Sequence, residues 1–135
     1  MPKIIKIKKN YLDKRGYIQD IFVKSPKDHC SIVTFNKNAL RGNHYHKKTT
    51  QYTFILSGIL IFYYCKISKK TGLIISKIKK KLIKKNTLII HPPYEFHSFL
   101  AKKKTVALAF ACGKRGGEFY EHDTVRIKLK WLRKK

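Results

Sequence analysis

Arg41-Gly42-Asn43-His44-Tyr45-His46-Lys47-Lys48-Thr49-Thr50-Gln51, running on through Tyr52-Thr53-Phe54-Ile55-Leu56-Ser57 to Gly58, decides how this chain is read. Side chains alternate across a β-strand, so His44 and His46, two residues apart, project from one face. Gln51 and Gly58 follow at a spacing that suits a turn into a second strand. A further polar point arrives late, in His91-Pro92-Pro93-Tyr94-Glu95-Phe96-His97. Its prolines fix φ and lack amide donors, which makes a rigid bend into a strand that delivers His97. Together these segments predict one histidine-lined pocket built from strands far apart in sequence.

The surrounding sequence supports an all-β reading. Period-two patterns dominate, and helical periodicity is scarce. Strands are expected at Tyr17–Val23, Ser31–Phe35, Asn43–Lys47, Gln51–Ser57, Ile59–Ile67, Leu73–Ile78, Thr87–Ile90, Phe96–Ala101 and Thr105–Cys112. The lysine-rich 77–85 segment suits a short edge strand, where charge blunts edge-to-edge association. Lys3–Ile7 and Val125–Trp131 read as first and last strands. Val106, Leu108, Phe110 and Cys112 alternate with three alanines, as expected where one face sits in a tight interior. Many short strands separated by turn signals suggest a sandwich or barrel of jelly-roll type. No repeat or linker divides residues 1–135, so one domain is expected.

Composition narrows the function classes. The formal net charge is +25, which invites a nucleic-acid reading. Lysine outnumbers arginine 27 to 5, however, although arginine is the better tool for bidentate phosphate and base recognition. A genome rich in AT codons explains the lysines as well as selection does, and nucleic acid is not the expected partner. Cys30, Cys65 and Cys112 are odd in number and widely spaced, with no Cys-x-x-Cys pair, so they read as isolated thiols in a reducing cytosol. The amino terminus lacks the apolar run of a signal peptide, and no stretch approaches a membrane span. A cytoplasmic protein is expected.

The histidine pattern resembles the cupin superfamily: a His-x-His pair, an acidic or amide residue, a glycine, then a proline-containing turn and a third histidine. His44, His46, Gly58 and His97 match, with Gln51 where many cupins carry glutamate. The wording Arg-Gly-Asn-His-Tyr-His-Lys-Lys is similar to that of TDP-4-keto-6-deoxyhexose 3,4-ketoisomerases and related sugar-nucleotide cupins of polysaccharide biosynthesis. The likeness spans about residues 13 to 127, including Asp13-Lys14-Arg15-Gly16 and Glu121-His122-Asp123-Thr124. It implies a single-domain cupin jelly-roll barrel acting as an isomerase or epimerase of a nucleotide-linked 4-keto-6-deoxy sugar. Pro-Pro-Tyr-Glu-Phe-His departs from the usual Pro-x-Gly-x-x-His turn.

On this reading His44 and His46 are the catalytic pair, because imidazole takes and returns protons near neutral pH. Arg41, Gln51 and His97 bind substrate. Gly42 lets the backbone approach closely, and a planar guanidinium suits pyrophosphate or carboxylate. Tyr63 or Tyr64 can supply a pocket acid; alternation cannot choose between them, and Tyr63 is taken as the substrate contact. Tyr45 and His91 read as structural. Asp13, Asp20 and Asp28 are expected in structural roles, and Glu118, Glu121 and Asp123 in pairing with the lysine excess. No cofactor is expected, since Gln51 is a weaker metal ligand than glutamate. The alternatives are a divalent-metal enzyme using His44, His46 and His97, and a non-enzymatic sugar or nucleic-acid binder. A homodimer is expected, covering the edges of the first and last strands, with Trp131 as an aromatic anchor.

Overall fold

A computed structural model describes residues 1–112 and 123–129. Among these residues twelve strands run in chain order: β1 Lys3–Lys6, β2 Tyr11–Asp13, β3 Gly16–Ile18, β4 His29–Phe35, β5 Leu40–His46 and β6 Gln51–Ser57, then β7 Ile59–Lys66, β8 Lys79–Lys84, β9 Thr87–His91, β10 Glu95–Ala101, β11 Thr105–Ala111 and β12 Thr124–Arg126. They form two five-stranded antiparallel sheets, β1-β9-β6-β11-β4 and β12-β5-β10-β7-β8, with β2-β3 as a separate hairpin. The strand order repeatedly crosses between sheets, as in a jelly roll. No helix among the described residues is long and apolar enough to cross a membrane.

Between the sheets, Phe35, Ile55, Leu60, Phe62, Ile83, Ile89 and Phe99 close one end of the sandwich. Burying each such side chain contributes about 1.5–3 kcal/mol. Phe62 stacks on Phe99 with centroids 5.1 Å apart. A second cluster, Tyr45, Tyr63, Cys65, Ile67, Phe96 and Leu100, covers the opposite face of the β5-β10-β7 sheet. Ile74, Ile78, Val125, Ile127 and Leu129 pack over it. β7 is thus covered by apolar residues on both faces, which accounts for its unbroken hydrophobic run.

Three sequence expectations change. The strand predicted over Tyr17–Val23 stops at Ile18, where β3 ends. Leu73–Ile78 forms only one bridge, Ile67 to Ile74, because its residues cover the outer cluster instead of extending a sheet. Tyr63 is a correction: it is 3% exposed inside the outer cluster, on the sheet face away from His97. Its neighbour Tyr64 sits opposite His97 in register and stacks on Phe62 in the inner core. The lysine-rich strand does lie at a sheet edge, as β8. Trp131 and the cluster Glu118, Tyr120, Glu121 and His122 lie outside the described residues.

Candidate active site

Between the sheets, with Phe35, Phe99 and Ala107 of the aromatic core in its wall, lies a cavity of about 560 Å³. Strand pairing places its polar groups. His97 on β10 sits directly opposite His44 on β5, and Arg126 on β12 opposes His44 from the other side. The close β5–β10 approach depends on Gly42, at φ +100°, where a Cβ would lie 2.7 Å from His97 O. The β5–β10 register shifts between His97 and Ser98, so the strand bends at the residue that faces His44.

Four imidazoles gather there. Ring centroids lie 4.7 Å apart for His44 and His97, 4.9 Å for His44 and His46, 5.3 Å for His46 and His97, and 4.6 Å for His91 and His97. His44 and His97 line the cavity together with Arg41, Gln51, Thr53 and Arg126. The predicted residues Arg41, His44, Gln51 and His97 thus meet in one place. Arg41 Nε donates to Thr34 O at 3.0 Å, which holds its guanidinium at the rim over the Phe35 ring.

His46 lies behind this front, 1% exposed. Its Nε2 meets Gln51 Oε1 at 3.2 Å, and its Nδ1 meets Thr124 Oγ1 at 3.2 Å. Asp123 Oδ1 stands 3.8 Å from the same Nδ1. The sequence reading gave Asp123 to the lysines; the structure bonds its Oδ2 to the Lys48 and Thr49 amides at 3.0 and 2.8 Å. Burial pushes the Asp123 carboxyl up, but bonds from Thr49 and Lys48, with His46 adding, hold it below the usual range. It remains an anion beside His46.

Sequence reasoning missed Glu95. It is 3% exposed, and its Oε1 lies 2.9 Å from His91 Nδ1 and 3.5 Å from His97 Nδ1. Burial pushes its carboxyl up; His91 and then His97 pull it further down, so it stays ionised. His91 is fully buried, and desolvation lowers its pKa despite the opposing pull of Glu95, leaving the ring neutral. The signal was present in the sequence: position 95 is two before His97, hence on the same strand face.

His97 Nδ1 lies 3.2 Å from the carbonyl oxygen of Glu95. A carbonyl only accepts, so Nδ1 carries a proton, and in the neutral ring the lone pair then lies at Nε2. That Nε2 is buried and takes no hydrogen bond from the described residues. An unmatched buried acceptor costs about 1–3 kcal/mol unless a ligand satisfies it. Ligand-capable atoms of His44, His46 and His97 lie within 4.8 Å of one another, as do those of His91, Glu95 and His97. The first set can surround one cation, although His46 would have to release Gln51 or Thr124.

No family model and no curated protein sequence matches this chain. Solved structures do match its fold. A dTDP-4-dehydrorhamnose 3,5-epimerase from Sulfolobus tokodaii superposes with a TM-score of 0.76 at 17% identity, over 96% of this chain and 78% of that one. The chain has the cupin jelly-roll fold. QdtA, a sugar 3,4-ketoisomerase from Thermoanaerobacterium thermosaccharolyticum in complex with TDP, matches this chain at TM-score 0.73 and 21% identity, covering 98% and 90% of the two chains. A 3,4-ketoisomerase from Helicobacter canadensis matches at TM-score 0.75 and 14% identity, covering 98% and 96%. The expected cupin architecture therefore holds, and its histidines fall at the open end of the barrel.

Proposed function

We propose that this cupin is a cytoplasmic isomerase or epimerase of a nucleotide-linked 4-keto-6-deoxy sugar, serving surface-polysaccharide sugar biosynthesis. The observation that carries this reading is the pairing of His44 with His97 at the wall of a cavity that also holds Arg41 and Arg126. A cavity of this size falls in the usual range for small-molecule sites. The structural likeness to 3,4-ketoisomerases and a 3,5-epimerase agrees with it.

The chemistry needs one base and one acid on a sugar face. His97 Nε2 removes the proton from C3, while His44 protonates the C4 carbonyl oxygen, giving an enediol. Keto migration follows when His44 takes the C3 hydroxyl proton and His97 returns its proton to C4; epimerisation follows when His44 takes back the C4 hydroxyl proton, a water on the other face protonates C3, and His97 gives its proton to solvent. No electron leaves the substrate, so no redox partner is consumed. Arg41 and Arg126 offer guanidinium groups to the diphosphate. Gln51 hydrogen-bonds a sugar hydroxyl or carbonyl, and His46 supports Gln51 from behind.

A second reading places a divalent cation among His44, His46 and His97, favoured by the 4.8 Å convergence of their ligand-capable atoms. When bound, it would polarise the ketone as a Lewis acid. One experiment separates the readings. Incubation with TDP-4-keto-6-deoxyglucose in deuterated water is expected to place deuterium at C3 or C4, with exchange surviving chelation. Exchange lost on chelation and restored by a divalent ion supports the metal reading. Neither deuterium nor product across a panel of 4-keto nucleotide sugars would remove both.

We also propose a homodimer. β1 and β12 lie at sheet edges, and the β2-β3 hairpin leaves Tyr11 and Leu12 70% and 72% exposed. Such edges and apolar tips favour a covering partner. Light scattering at micromolar concentration and moderate salt should give twice the chain mass; a strictly monomeric protein contradicts the proposal.

A further inference from the structure

Through the cavity wall and behind it runs a continuous chain of hydrogen bonds, part-buried at Gln51 and buried from Thr53 onward: His46 Nε2 to Gln51 Oε1, 3.2 Å; Gln51 Nε2 to Thr53 Oγ1, 3.1 Å; Thr53 Oγ1 to His91 Nε2, 3.0 Å; His91 Nδ1 to Glu95 Oε1, 2.9 Å. Its links join four strands, β5, β6, β9 and β10. Neutral imidazole, amide and hydroxyl can each be turned round, so such a chain has two directions in principle. Only a group that cannot be turned round selects between them.

Glu95 is that group. An ionised carboxylate accepts and never donates, so His91 Nδ1 must carry the proton facing it. Neutral His91 then has a bare Nε2, which takes the Thr53 hydroxyl proton. Thr53 Oγ1 in turn accepts from the Gln51 amide nitrogen, which turns Gln51 Oε1 toward His46 and requires a proton on His46 Nε2. Every donor points toward Glu95. The reverse direction would set a bare His91 Nδ1 against a carboxylate oxygen.

We infer that Glu95 is a positioning residue: acting through His91 and Thr53, it fixes the amide orientation of Gln51 at the cavity wall and the tautomer of His46 behind it. Gln51 then presents one fixed polar pattern to the cavity. On the other side of the ring, His46 Nδ1 faces Thr124 Oγ1 at 3.2 Å and Asp123 Oδ1 at 3.8 Å. His97 is held separately, because its Nδ1 proton goes to the Glu95 backbone carbonyl, which no side-chain substitution removes. The kinetic consequence rests on the isomerase reading above; the tautomers do not.

The test is ring-nitrogen NMR of the full chain labelled with ¹⁵N-histidine. Wild type is expected to show His91 and His97 protonated at Nδ1 and His46 at Nε2. Glu95→Gln keeps the shape but can donate as well as accept, so His91 and His46 should become mixed or inverted while His97 stays unchanged. Thr53→Val removes the middle hydroxyl at nearly constant volume. It should free His46 and leave His91 as in wild type, whereas Thr53→Ser should keep both wild-type patterns. On 4-keto nucleotide sugar, Glu95→Gln should lower kcat/KM about tenfold, the worth of one hydrogen bond from Gln51 to the sugar. Wild-type tautomers at His91 and His46 in Glu95→Gln, or at His46 in Thr53→Val, would overturn the inference. Inactivity of the wild type on every 4-keto sugar, with the tautomers shifting as stated, would remove the isomerase reading and leave the inference standing.

Discussion

His97→Asn should abolish most of the deuterium exchange and turnover, lowering kcat by roughly 100- to 10,000-fold, the usual contribution of a general base or acid. His97 is the imidazole whose bare Nε2 is buried without a hydrogen bond from the described residues. An asparagine amide can hydrogen-bond a sugar but cannot take a proton from carbon. KM should therefore change little, since Arg41, Arg126 and Gln51 remain on the wall. Steady-state kinetics alongside a thermal melt checks the result. A folded variant within tenfold of wild-type kcat would remove His97 from proton transfer and leave it a binding residue.

Gly58→Ala should cost about 3 kcal/mol of stability, from backbone strain and overlap together. Gly58 links β6 to β7 at φ +101°, where an L side chain is strained. Its Cβ would overlap Thr105 Oγ1 and lie 2.6 Å from both Lys104 O and Thr105 Cα. Thr105 cannot simply give way: it is fully buried, and its hydroxyl donates to Lys103 O at 2.9 Å and accepts from Ile59 N at 3.2 Å. For a chain of this size the melting temperature should fall by roughly 10 °C. A calorimetric scan within 2 °C of wild type, on the order of 0.5 kcal/mol, would show that the turn relaxes at little cost.

The cupin fold was legible because its evidence is local. His-x-His, Gly58 and the proline turn each sit within one strand or one turn, and period-two patterning survives in β4 and at the start of β11. The choice between Tyr63 and Tyr64 was not legible. Alternation says that they face opposite ways, and only the pairing of Tyr64 with His97 says which one faces in. Asp123 misled for a related reason. Its partners Lys48 and Thr49 lie 75 and 74 residues away, so the surrounding lysines looked like the simpler match. Glu95 was hidden in a segment whose prolines read as a bend, although its position two before His97 fixed its face. The short extent of β3 and the bridging of Ile74 depend on what covers the outer sheet, which no local pattern encodes.

Ala107, Ala109 and Ala111 on β11 border the cavity, and Val33, Ser31 and His29 on β4 stand across from them in the same wall. Interiors are otherwise packed to crystal-like density. Where three successive inward positions carry only a methyl group, the fold forgoes dispersion contacts that larger side chains would supply. The binding space is thus made by omission. Any drift toward valine or leucine on this face gains packing while it shrinks the room for a guest, so selection for stability and selection for occupancy pull these three positions in opposite directions.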